Sequence, residues 1–133
     1  MKKTIWTNGC FDIIHKGHIE LFRYAKSLGD KLIVGIDTDR RTKERKGADR
    51  PINNQICRHE KLLDIPEIDD VFIFDSDLEL TILIKSLDVE TIVVGDDYKD
   101  KQIIGSECVK NVILFPKITG YSTTDIMNRN RLS

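Results

Sequence analysis

The sequence predicts an α/β fold: a doubly wound parallel sheet of five strands with helices on both faces, in a single domain over residues 1–133. Three observations carry this expectation. Short β-prone runs alternate with segments of helical character along the chain, the pattern of repeated strand–helix–strand units. Several runs are continuously apolar rather than alternating, as strands covered on both faces are. The polar, glycine-bearing stretches all follow strands, whereas the connections leading into strands, "SLGD" and "SLDVE", are short and plain.

The elements follow in order. Thr4–Thr7 is a β-prone run leading into Asn8-Gly9. From Gly17 the period changes: Ile19, Phe22, Ala25 and Leu28 make an apolar stripe on a helix, and Gly29 stops it. "KLIVGID" (Lys31–Asp37) is a strand buried on both faces. The charged stretch "TDRRTKERKGADRPIN" is expected to be a loop. Asn53 or Asn54 can cap the next helix, which ends before Pro66. "VFIF" (Val71–Phe74) is the third strand, and Asp77 can cap a helix running to about Leu87. "TIVVG" (Thr91–Gly95) and "NVILF" (Asn111–Phe115) are the fourth and fifth strands. A helix is possible between Tyr98 and Lys110, although the period there is poor. Ser122 caps a last short helix.

Composition narrows the function. With 40% hydrophobic and 32% charged residues, the chain can bury a core and stay soluble. Twenty-one Lys and Arg balance 22 Asp and Glu, so no global field draws it to nucleic acid or to a membrane surface. No apolar run is long enough to span a bilayer, and the N-terminus lacks the pattern of a signal peptide. Cys10, Cys57 and Cys108 are odd in number and lack metal-ligand spacing, which fits reduced thiols in the cytoplasm.

In a doubly wound sheet, ligands bind outside the carboxyl ends of the strands. "NGCFDIIHKGH", "TKERKGADRP", "GDDYK" and "TGYSTT" all fall on that edge. His15 and His18 stand three apart at a helix start, where both rings can face one ligand. Gly17 lets a backbone approach closely, and the first helical turn offers amide donors and the positive end of the helix dipole. Paired imidazoles beside an anion site suit a phosphoryl centre whose oxygens gain charge in the transition state. Lys46-Gly47 is either a solvated turn or a phosphate clamp, with Lys43, Arg45 and Arg50 as neighbours. Arg58, on the following helix, has a surface charge as its plain reading. Asp96 and Asp97 could act as acid–base groups, metal ligands, acceptors for a base's amino group, or simply turn residues. Ser122, Thr123 and Thr124 are hydroxyls at a helix start, and the two threonines can donate to phosphate oxygens.

"GCFDIIHKGH" resembles the G-x-F-D-x-x-H-x-G-H signature of the cytidylyltransferase-like nucleotidyltransferases. "GDDYK" and "YSTTDI" resemble that family's other two signatures, in the right order, across nearly the whole chain. "KGADRPIN", "DYK" and "IIGS" are most similar to the adenylyltransferase branch found in bifunctional ADP-heptose synthesis proteins. The double Asp is also similar to the glycerol-3-phosphate cytidylyltransferase branch. Lys117 stands where many members carry Arg.

The resemblance implies a Rossmann-like fold and transfer of a nucleoside monophosphate from an NTP to a phosphorylated small molecule, releasing pyrophosphate. ATP and a sugar 1-phosphate of the heptose type are the expected substrates; CTP with glycerol 3-phosphate is the alternative. A non-catalytic nucleotide-binding module is the alternative of another class. The implied catalytic residues are His15, His18 and Lys46. Nucleotide binding falls to Gly9, Cys10, Phe11, Gly17, Asp96, Asp97, Ser122, Thr123 and Thr124. Acceptor binding falls to Asp12, Arg50, Arg58, Tyr98 and Lys99. Mg²⁺ is expected to arrive with the triphosphate, without dedicated protein ligands. A homodimer is implied by resemblance alone.

Overall fold

Five parallel strands form one sheet in the order β3-β2-β1-β4-β5, in a computed structural model that describes residues 2–95 and 102–116. They are β1 (Thr4–Gly9), β2 (Lys31–Asp37), β3 (Asp70–Phe74), β4 (Thr91–Gly95) and β5 (Asn111–Phe115). Four α-helices connect them: α1 (Lys16–Ser27), α2 (Asp39–Lys46), α3 (Gln55–Leu63) and α4 (Asp77–Ser86). A 3-10 turn at Ser106–Cys108 precedes β5. The chain winds outward from β1 through β2 to β3, then returns to the other side of β1 for β4 and β5. The strand order therefore reverses between β1 and β4, where Ile5 and Trp6 are in register with Thr91 and Ile92. This is the expected Rossmann-like doubly wound sheet.

The two faces bury separate cores. On one, α1 and α3 bring Leu21, Phe22, Ala25 and Leu62 onto Ile5, Leu32, Val34, Ile36 and Val93. On the other, α4 brings Leu80 and Ile84 onto Trp6, Ile33, Ile92 and Val94. β2 serves both cores, and every residue from Leu32 to Asp37 is buried. Trp6 is fully buried, and its indole N–H donates to Asn8 Oδ1 at 2.9 Å. Gly35 opposes it: a Cβ there would lie 2.3 Å from Trp6 Cζ2, so the site admits the indole only because residue 35 has no side chain.

Several boundaries differ from the sequence expectation. β3 begins one residue early, at Asp70. α4 is capped by the Ser76 hydroxyl, which accepts from the Glu79 amide, and Asp77 is its first helical residue. Gly29 does follow α1, but its need for glycine comes from crowding: a Cβ would stand 2.7 Å from the Lys3 carbonyl oxygen. The larger correction is α2, which occupies the stretch expected to be a charged loop. Thr38 caps it by accepting from the Arg41 amide, Asp39 lies in its first turn, and Lys43, Arg45 and Lys46 lie in its last. Those charges complement the helix dipole. An Arg40–Glu44 pair at 2.7 Å spans one turn, and Gly47 ends the helix at φ 115°. The expected helix after Ser122 lies outside the described residues.

Candidate functional site

The carboxyl ends of β1 and β2 feed the two segments that carry the histidines and Lys46. After Gly9 the chain turns sharply: Phe11 adopts φ 50°, a left-handed conformation that side chains rarely take. The turn sends the Phe11 ring inward against Phe22 and edge-on to His18, each with centroids 5.2 Å apart. Strain of this kind concentrates at functional sites.

His15 and His18 cap α1 reciprocally. The Gly17 amide donates to His15 Nδ1 at 3.1 Å, and the His15 amide donates to His18 Nδ1 at 3.3 Å. The rings stack at 3.8 Å between centroids, 23° from parallel. Because each Nδ1 accepts, the proton of each neutral imidazole sits on Nε2, which makes Nε2 a donor. Both rings are held neutral. Burial lowers the His15 pKa, and burial, the neighbouring His15 and the Lys46 ammonium together lower that of His18 to about 3. Two stacked cations would repel, and a protonated Nδ1 would lose its amide donor. The first turn of α1 carries no acidic residue, so the positive end of its dipole is not neutralised from within.

Lys46 is the last residue of α2 and is exposed. Its charge contributes to lowering the His18 pKa. Cys10 and Thr42 join the two segments beneath the surface, with Cys10 Sγ 3.7 Å from Thr42 Oγ1.

Two residues assigned to the acceptor are committed elsewhere. Asp12 is buried, and its carboxylate accepts from the Ile52 and Asn53 amides, both at 2.7 Å. The Arg50 guanidinium lies 3.6 Å from the same carboxylate. Asp12 therefore shapes the 50–53 turn. Arg58 is neither a surface charge nor a group that can reach a substrate, since its side chain is 0% exposed. Its guanidinium donates to the carbonyls of Cys10, Asp37 and Asn53 and to the Asp39 carboxylate, at 2.8–3.0 Å. The α3 stripe explains why: Arg58 and Leu62, four apart, share its buried face.

Asp96, Asp97, Tyr98, Lys99, Ser122, Thr123 and Thr124 lie outside the described residues. Sequence reasoning assigned no role to Asn8 or Arg41, which with Arg45, expected as a neighbour of Lys46, line a cavity of about 50 Å³ beside Val94, where β1 and β4 diverge. Arg41 donates to Asp37 at 2.7 Å and Asp77 at 2.6 Å and lies over the Phe74 ring. The usable signal was its four-residue spacing from Asp37. Among the described residues no group of three or more His, Cys, Asp or Glu could hold a metal ion, and no helix is long and apolar enough to cross a membrane.

A family model described as cytidylyltransferase-like matches residues 6–129. The chain is 46% identical over 128 residues to the bifunctional protein HldE of Campylobacter fetus subsp. fetus, and 45% identical over 130 residues to that of Nitratiruptor sp.. The matches cover 96% and 98% of this chain, which spans 28% of the length of each relative. Among solved structures, the lipopolysaccharide core biosynthesis protein from Thermoplasma volcanium superposes with a TM-score of 0.73 at 23% identity, over 89% of this chain and 99% of that one. A pantoate–β-alanine ligase from Francisella tularensis, complexed with β-γ ATP and β-alanine, gives 0.61 at 16% identity, over 98% and 70%. At these identities the structural likeness establishes a shared fold.

Proposed function

The chain belongs to the cytidylyltransferase-like family, and from that premise we propose that it transfers a nucleoside monophosphate from an NTP to a phosphorylated small molecule, releasing pyrophosphate. ATP is the favoured donor and a sugar 1-phosphate of the heptose type the favoured acceptor. The relatives named as bifunctional HldE support that choice. A CTP-dependent transfer to glycerol 3-phosphate is the runner-up.

One observation carries the reading: two neutral imidazoles, each with Nδ1 occupied by a backbone amide, present Nε2–H groups at a helix start whose dipole no acidic residue offsets. Burial lowers the pKa of both, that of His18 to about 3, which favours the neutral form. Such donors suit oxygens that gain negative charge as the α-phosphorus passes through its transition state.

The acceptor's phosphate oxygen attacks the α-phosphorus in line and the α–β bridging bond breaks. The electron pair leaves on pyrophosphate, with no covalent enzyme intermediate. A phosphate monoester is already nucleophilic near neutral pH, so the site needs no strong base. Positioning and charge stabilisation supply the catalysis. His15 and His18 hold the α-phosphate oxygens and the leaving group. Lys46 neutralises charge between donor and acceptor phosphates. Thr123 and Thr124 hold the β- and γ-phosphates, and Asp97 reads the base or ribose. Backbone amides donate to both histidine Nδ1 atoms, and the Asp12 carboxylate, nearby in sequence, already accepts from two amides. That donor set fits Mg²⁺ held by phosphate oxygens and water, where it offsets triphosphate charge.

The test is pyrophosphate release across a matrix of acceptors and nucleotides, with ATP and CTP as first columns. Turnover with ATP and a sugar 1-phosphate is expected, and His18→Ala should lower it by roughly 10²–10³-fold, the scale for losing one transition-state donor. Wild-type turnover in His18→Ala would remove that role. Nucleotide binding without pyrophosphate release from any acceptor would favour a binding module.

A further inference from the structure

We propose that Arg58 is the positioning residue of this site, a buried clamp that holds the histidine segment and the Lys46 helix in one alignment. Its catalytic part rests on the nucleotidyl-transfer reading; its structural part does not.

Where β1 and β2 leave the sheet, Cys10 and Asp37 each point a carbonyl oxygen into a buried space, and such groups need donors. Arg58 Nη1 supplies both, at 2.9 and 2.8 Å. Its Nε donates to the Asn53 carbonyl at 3.0 Å, and its Nη2 donates to Asp39 Oδ1 at 2.8 Å. One planar group thus ties the start of the histidine turn, the end of β2, the first residue of α2 and the turn preceding α3. Only a guanidinium has donors enough in a fixed fork to do this; an ammonium has three donors and no plane.

The geometry explains why the clamp bears on catalysis. Asp39 opens α2 and Lys46 closes it, about two turns or ~10 Å further on. A rigid helix gripped at its first residue transmits any tilt to its last. Cys10 lies five residues before His15, across the turn strained at Phe11. Asp12 anchors the same turn from the other side through the Ile52 and Asn53 amides. Burying a guanidinium is costly unless it is paired and hydrogen-bonded, and here the Asp39 carboxylate and three carbonyls supply the partners. The cation earns its place by fixing the relation between two segments that no strand pairing connects.

Arg58→Lys keeps the charge but cannot span four acceptors. Asp39→Ala removes the half-exposed partner and leaves the buried cation in place, so it tests the clamp should the first variant fold poorly. Hydrogen exchange should rise together in 10–18 and 38–47 in either variant, while the amides within β1, β2 and β4 keep their protection. This arm needs no activity. In turnover, kcat should fall by about 10–100-fold with KM for ATP little changed, the scale of an ångström-size misplacement. In a Lys46→Ala background the loss should shrink to severalfold, because the displaced group is already gone. Exchange rising only in α3, or uniformly over the sheet, would overturn the proposal. So would a kcat loss that multiplies in full with that of Lys46→Ala. A wild-type chain that releases no pyrophosphate would sink the catalytic reading alone, and the exchange result would still decide the clamp.

Discussion

Lowering the pH from 7.5 to 5 should destabilise the protein by about 2 kcal/mol, and His18 should account for most of it. The free imidazole has a pKa near 6.5, whereas burial, His15 and Lys46 hold that of folded His18 at about 3. Between those values the unfolded chain binds a proton that the native state refuses. Stability therefore rises with pH through this window and is flat above it. At pH 5 the unfolded imidazole is nearly all charged, and each pH unit below 6.5 costs about 1.4 kcal/mol. His15 is shifted in the same direction and adds to the slope. Asp69 and Asp75 are also shifted downward, below the ordinary carboxylate range, Asp69, against the opposing effect of burial, by its bonds to Lys26 and Leu32, and Asp75 by its bonds to Arg40 and Thr38, so their losses have the same sign but begin only in stronger acid. The assay is urea unfolding from pH 5 to 7.5, where 2 kcal/mol moves the midpoint by about 1 M. The control is His18→Gln, which does not titrate and whose amide oxygen can still accept from the His15 N–H at this cap position. Its dependence on pH should be much shallower. Equal slopes in the two proteins would refute the argument that a desolvated, backbone-held imidazole stays neutral here.

Asp12→Asn exchanges a buried carboxylate that accepts from two backbone amides for a group with one acceptor oxygen. It should cost about 1–3 kcal/mol by chemical denaturation, and an unchanged midpoint would show that the 50–53 turn does not need the carboxylate. Gly35→Ala forces a methyl to within 2.3 Å of the fully buried Trp6 ring. It should lose about 1–3 kcal/mol or more and shift Trp6 fluorescence, whereas a neutral outcome would mean that β2 and the indole repack without strain.

Much of the site was legible in sequence because its chemistry is local. His15, Gly17 and His18 lie within one turn of a helix, so spacing alone puts the rings on one face. The strands were legible because burial on both faces demands continuous apolar runs, as in Leu32–Ile36. α2 was not legible, because only Thr42 of its eight residues is buried. Caps, dipole and ion pairs hold that helix, and none of these leaves a hydrophobic period. Arg58 was misjudged for a related reason: a cation on an amphipathic helix is a surface group unless other segments bring acceptors to it, and here those acceptors are backbone carbonyls that carry no sequence signal.

The sequence by itself determined the alternation of strands and helices, the placing of the histidine motif after the carboxyl end of β1, and the pairing of two histidines at a helix start. Only the tertiary structure decided that burial and backbone amides favour the neutral imidazoles, that 39–46 is a helix, and that Arg58 is buried. The division follows from distance along the chain. Helix phase and strand burial are set by neighbours a few residues apart, whereas desolvation and the satisfaction of strand-end carbonyls depend on groups some 20 to 50 residues away, which meet only when the sheet forms.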